Sequence, residues 1–170
     1  MSRAFVKDDS WEEPVVAPRA PLPDGVPNYV TPRGLALLRE EQALLDARRQ
    51  TLEAASGDEA ARRGRLAALA ARGRELAGRI ASAQVVVPGA ADREAVRFGA
   101  TVTLRAHTGE ERRWSIVGVD EADPDAGFVA FTSPIARAIL GKRTGEVVEL
   151  RAAGGREVLE ICAIDYAAGA

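Results

Sequence analysis

Apolar residues follow two different rhythms along this chain. From Leu35 to Ala83 they recur at helical spacing, and from Ala100 onward they alternate. In the first region Leu38, Leu45 and Leu52 repeat every seven residues with Leu35 on the same side, while Arg39, Glu40, Glu41, Asp46 and Arg48 line the other face. That pattern predicts an amphipathic helix with a narrow seam. Thr31 is its expected N-cap and Pro32 its first residue. The helix breaks at Ser56-Gly57-Asp58, where Gly57 suits a left-handed position and Asp58 suits the N-cap of a second helix. Leu66, Leu69, Gly73, Leu76, Ile80 and Ala83 then form a second seam. Two helices joined by so short a turn fold back antiparallel. At about 24 residues each, they predict a coiled-coil hairpin roughly 36 Å long.

The alternating region predicts strands at 100–104, 114–116, 128–131, 147–150 and 158–161, separated by turn signals at Thr108-Gly109, Asp123-Pro124-Asp125 and Gly154-Gly155. One short helix interrupts them, with Ser133 as N-cap, Pro134 at its first position and Gly141 as its stop. The fold class is therefore α+β: an N-terminal antiparallel helical hairpin, then a small antiparallel sheet domain with one short helix. The expected divisions are a proline-rich tail at 1–28, the hairpin at 29–87, a linker at 88–97 and the sheet domain at 98–166. The tail holds five of the chain's nine prolines and has no apolar periodicity, so disorder is expected there, with a docking motif around Phe5 and Trp11 as the alternative.

Composition narrows the function classes. A net charge of -2 argues against a protein that coats nucleic acid by bulk electrostatics, and 5% aromatics leave few stacking platforms. The single cysteine, Cys162, excludes an internal disulfide and reads as a small buried hydrophobe. No apolar run has the length of a signal peptide or a membrane span, so a soluble cytoplasmic protein, expected as a monomer, follows. His107 is the only histidine, and no nucleophilic triad assembles around it. No phosphate-cradling glycine loop or zinc spacing occurs, so no cofactor of its own is expected. Asp120, Glu121 and Asp123 suggest a metal cluster, but an acidic turn is the commoner outcome of such a run.

The segment Ser133-Pro134-Ile135-Ala136-Arg137-Ala138-Ile139-Leu140-Gly141-Lys142 resembles the C-terminal signature of the GreA/GreB transcription elongation factors. Ala83-Gln84-Val85, Phe98-Gly99-Ala100-Thr101-Val102, Ile116 to Asp123 and Glu157 to Tyr166 extend the resemblance over about residues 29–166, most strongly from residue 83. It implies an FKBP-like C-terminal domain that docks at the rim of the RNA polymerase secondary channel, through Ser133, Pro134, Ile135, Ala136 and Arg137 with Asp120 and Glu121. It further implies a hairpin inserted through that channel, near the nascent RNA and DNA.

In that family the tip carries Gly-Asp, an acid three positions on, and then Asn, which act with a polymerase-bound Mg²⁺ in cleavage of backtracked transcripts. Gly57-Asp58 matches the start, but Ala61 and Arg62 stand at the other two positions. Glu59 can substitute only if the tip is not helical there, because adjacent helical residues point about 100° apart. The hairpin also looks one heptad shorter per helix than the family's, roughly 10 Å of reach. The resemblance thus implies polymerase binding with weak or absent cleavage stimulation. Asp58 and Glu59 are the candidate tip acids, and Asp58 the possible ligand to a shared Mg²⁺; the alternative role for both is helix capping. Arg62, Arg63, Arg65 and Arg72 are candidate nucleic-acid contacts, with a solvated helix face as the alternative. A non-cleaving channel competitor and a peptidyl-prolyl isomerase are the competing functions.

Overall fold

A computed structural model describes residues 19–87, 93–152 and 155–166. Strand β1 (Tyr29–Val30) leads into helix α1 (Pro32–Ala54), and helix α2 (Glu59–Ser82) returns to strand β2 (Gln84–Val85). Both predicted caps form. The Thr31 side chain accepts from the Gly34 amide, and the Asp58 side chain accepts from the amides of Ala60 and Ala61. Gly57 has φ +146°, a value side chains rarely adopt, which is what the sharp reversal requires.

The hairpin is buried unevenly. Leu38, Leu45 and Leu76 are buried, with Leu35, Leu69, Ile80 and Ala83 packed around them and Val30 closing the base. Between residues 46 and 68 no residue is buried. At 24 residues, α2 spans about 36 Å.

The second unit contains β3 (Thr101–Ala106), β4 (Glu111–Val117), a 3-10 turn (Val119–Glu121), β5 (Phe128–Ala130), α3 (Pro134–Ile139), β6 (Val147–Ala152) and β7 (Gly155–Asp165). The sheet order is β5-β4-β3-β7-β6. Val102, Leu104, Ile116, Leu159 and Ile161 face inward against Ala136 and Ile139 of α3. The expectation of a wholly antiparallel sheet is corrected: β5 pairs parallel to β4, with Ile116 opposite Val129. The link through residues 118–127 carries the chain back level with Ser115, in the second half of β4, instead of reversing it in a hairpin.

Three further expectations change. Residues 19–28, taken as tail, are fastened to the hairpin: the buried Asn28 amide donates to Arg79 O and Ser82 Oγ, and Arg19 is paired with Glu41 and Asp120. Residues 1–18, with Phe5 and Trp11, lie outside the described residues. Of the linker, residues 93–97 belong to the sheet domain. Ala95 and Val96 are buried, and the Tyr166 hydroxyl donates to Ala95 O at 2.5 Å. Cys162 is not a buried hydrophobe. The β3–β7 register shifts between Thr103 and Leu104, making Cys162 the extra residue of a bulge, half-exposed, with Arg105 Nη2 2.7 Å from its sulfur.

Candidate functional site: the hairpin tip and its joint to the sheet domain

At the tip, both cap bonds of Asp58 fall on Oδ1, at 2.8 and 3.2 Å. The second carboxylate oxygen is therefore left for a ligand from outside. Glu59 is the first residue of α2, and its carboxylate lies 3.6 Å from Arg63 one turn on. The condition for Glu59 to replace the family's second acid is not met: it is the first helical residue, and its carboxylate is paired with Arg63. The apex thus offers one carboxylate, too few for a metal site of its own but enough for a single shared ligand.

The four candidate arginines have different surroundings. Arg62 Nη1 donates to Ala55 O at 2.6 Å, bracing the turn across the apex. Arg63 pairs with Glu59, and Arg65 is exposed. Arg72 is committed within the hairpin, donating to Glu41 Oε1 from Nε at 3.1 Å and from Nη2 at 2.8 Å.

The short helix expected after Ser133 forms, with Ser133 Oγ accepting from the Ala136 amide at 3.2 Å. Pro134 and Arg137 are exposed and Ile135 is half-buried, but Ala136 is sealed in the core. Ser133, half-buried like Ile135, joins Pro134, Ile135 and Arg137 in offering surface to a partner.

Asp120 and Glu121 are brought together, but as the joint between the two units. Glu121 is buried; its Oε2 accepts from Thr31 Oγ1 at 2.6 Å and its Oε1 accepts from Arg33 Nη1 at 2.8 Å. The carboxylate therefore sits at the N-terminus of α1, where the helix dipole favours negative charge. Asp120 accepts from Arg19 Nη1 at 2.7 Å and lies 3.6 Å from Arg79 Nη1 of α2. Each carboxylate thus answers to cations of the N-terminal half, and a metal cluster with Asp123 does not form.

Aromatic rings fill the rest of the joint. Tyr29, Phe98 and Phe131 form a triangle with ring centroids 5.6–6.0 Å apart, and the Arg33 guanidinium lies 4.4 Å from the Phe128 centroid. Gly118 lets β1 approach, since a β-carbon there would lie 2.6 Å from Tyr29 O.

Charge at the joint is finely set. Burial is the largest influence on Glu41 and opposes its ionisation. Hydrogen bonds from Arg19 and Arg72 outweigh it and hold the carboxyl below its ordinary range. Burial likewise opposes the charge of Arg19 most strongly, and Asp120 and Glu41 overcome it, raising its pKa.

Sequence reasoning did not identify Arg19, Glu41 or Arg79 as joint residues. The available signal was Gly34, a helix-weakening residue in the first turn of α1, which marks a close approach.

Comparison with known proteins places this geometry in context. Residues 91–166 match the family model described as "Transcription elongation factor, GreA/GreB, C-term". A transcription elongation factor GreA of Alkalilimnicola ehrlichii is 36% identical over 152 residues, covering 81% of this chain and 96% of the relative. One from Phenylobacterium zucineum is 48% identical over 93 residues, covering 54% of this chain and 59% of the relative's own length. The solved prokaryotic transcription elongation factor GreA/GreB from Nitrosomonas europaea aligns with a TM-score of 0.42 at 20% identity, covering 83% of this chain and 99% of that one. Among the described residues no helix is long and apolar enough to cross a membrane.

Proposed function

Because the chain belongs to the GreA/GreB family of transcription elongation factors, we propose that it binds RNA polymerase and directs its hairpin into the secondary channel of an elongation complex. The observation that carries this reading is a two-helix rod, fastened at one end to a globular base and ending at the other in a capped turn with an exposed carboxylate. Docking falls to Ser133, Pro134, Ile135 and Arg137, which stand on or cap α3. Asp120 and Glu121 act indirectly, by setting how the rod leaves the base.

Within that role, the tip favours occupancy of the channel over stimulated cleavage. Asp58 can supply one oxygen to a Mg²⁺ held by the polymerase, which would supply the Lewis acid for phosphodiester hydrolysis. Glu59 is paired with Arg63; Ala61 has no carboxylate; Arg62 is tied to Ala55. The chain is thus a regulator of the polymerase and not an enzyme. A peptidyl-prolyl isomerase is disfavoured because Phe98, Phe131 and Phe128, which a proline pocket needs, are engaged with Tyr29 and Arg33 at the joint.

The test is co-purification with core polymerase, crosslinking from position 58, and transcript cleavage on stalled complexes. Association with a channel crosslink and little added cleavage is the expected result. Absence of association overturns the proposal. Strong cleavage abolished by Asp58→Ala overturns its second half.

A further inference from the structure

Arg19 is nine-tenths buried in a stretch whose neighbours Ala20, Pro21, Pro23, Asp24 and Gly25 are exposed. Its two terminal nitrogens serve different units of the fold: Nη1 donates to Asp120 of the sheet domain, and Nη2 donates to Glu41 of α1. We infer that Arg19 is a positioning residue: residues 19–28 form an N-terminal brace that fixes the direction in which the hairpin leaves the sheet domain.

The geometry explains why a brace is needed there. The joint already holds the first turn of α1 through Glu121, Thr31 and Arg33, and the last turn of α2 through Arg79. Those attachments lie at the foot of the rod, and attachments at one level fix a position better than a direction. Glu41 lies seven residues beyond Gly34, about 10 Å up the axis at 1.5 Å per residue. Arg19 ties that higher point to Asp120, and two points define a line.

The rest of the segment makes the tie stiff. Arg79 Nη2 donates to Ala20 O, Asn28 is held to Arg79 O and Ser82, and Pro21, Pro23 and Pro27 restrict the chain between. Arginine suits the task because its planar fork reaches two carboxylates at once, which an ammonium at the end of a flexible stem does not do as well. Buried ion pairs contribute little net stability but can specify one arrangement. The brace therefore acts on orientation more than on folding.

The test uses the full chain with Cys162→Ser and spin labels at Ser56→Cys and Thr144→Cys, so that pulsed electron resonance reads the tip-to-domain distance. One narrow distribution is expected for this parent. Arg19→Ala is expected to broaden it about twofold or displace its maximum, as a second orientation becomes populated. Arg19→Lys, which keeps the charge without the fork, should fall between, and Arg19→Ala should broaden nothing further in a Glu41→Gln background. Circular dichroism checks that each variant is folded; should Arg19→Ala unfold, Arg19→Lys carries the reading. An Arg19→Ala distribution that coincides with the parent's overturns the inference, whether or not the chain binds polymerase. If it does bind, a fall of the competent orientation to about one-tenth weakens apparent affinity about tenfold.

Discussion

Gly34 and Glu121 share a space that admits only one of a β-carbon and a carboxylate. A methyl group at Gly34 would lie 2.6 Å from Glu121 Oε2 and 3.3 Å from its Cδ. In an exposed helix, Gly→Ala stabilises by roughly 0.5–1 kcal/mol. Here the sign reverses, because the displaced carboxylate is buried and bonded to both Thr31 and Arg33. Gly34→Ala is expected to destabilise by about 1–3 kcal/mol in urea unfolding. A gain in stability would show that Glu121 moves aside freely.

Removing the carboxylate itself tests the same contact from the other side. Glu121→Ala leaves the buried Thr31 hydroxyl without its acceptor and should destabilise by about 1–3 kcal/mol. Glu121→Gln retains an acceptor oxygen and should lose clearly less. Equal losses would mean that charge, not the hydrogen bond, holds the joint.

Acid should weaken the brace through Glu41. Its carboxyl is depressed in the folded chain, since Arg19 and Arg72 together outweigh the opposing burial. A depressed carboxyl binds its proton more readily when unfolded. The stabilisation it brings is therefore complete above the ordinary value of 4.5 and declines as pH falls through the lower folded value. The difference in melting temperature between the parent and Glu41→Gln should thus be constant near neutrality and shrink below about pH 4. A difference independent of pH down to the acid limit would remove Glu41 from this account.

The uneven packing of the hairpin predicts uneven protection. Leu38, Leu45 and Leu76 are buried and nothing from 46 to 68 is, so amide exchange should be slow near the base and fast toward the tip. Leu76→Ala is expected to cost about 2–5 kcal/mol, and Leu66→Ala, half-buried, well under half of that. Uniform protection along both helices would indicate that the tip is supported by contacts other than these.

How much of this was legible in the sequence depended on range. The caps at Thr31, Asp58 and Ser133 each bond an amide two or three residues away, so residue type and spacing revealed them. The glycine turn and both helical seams are local in the same sense. Glu121 meets partners 88 and 90 residues distant, and Asp120 meets Arg19 across 101. No local pattern records such pairings, and as sequence the two acids look like a turn or a partner-facing patch. The parallel β4–β5 pairing was hidden for a related reason: alternation marks a strand but carries no direction. Cys162 was misplaced because Ile161 to Ile164 are all apolar, so residue type did not show that Cys162 is the unpaired, half-exposed residue of a bulge.

One small ladder has a mechanical consequence. β1 enters the hairpin and β2 leaves it, yet they run parallel, Tyr29 beside Gln84 and Val30 beside Val85. Two antiparallel helices cannot both continue straight into parallel strands, so at least one strand crosses under the rod. A sideways load at Gly57 therefore reaches this crossing as torque, multiplied by a lever of about 36 Å. The short ladder, the side chains around it and the Arg19 tie above them resist that turning. The tip can be soft and replaceable, but the foot must behave as a locked hinge.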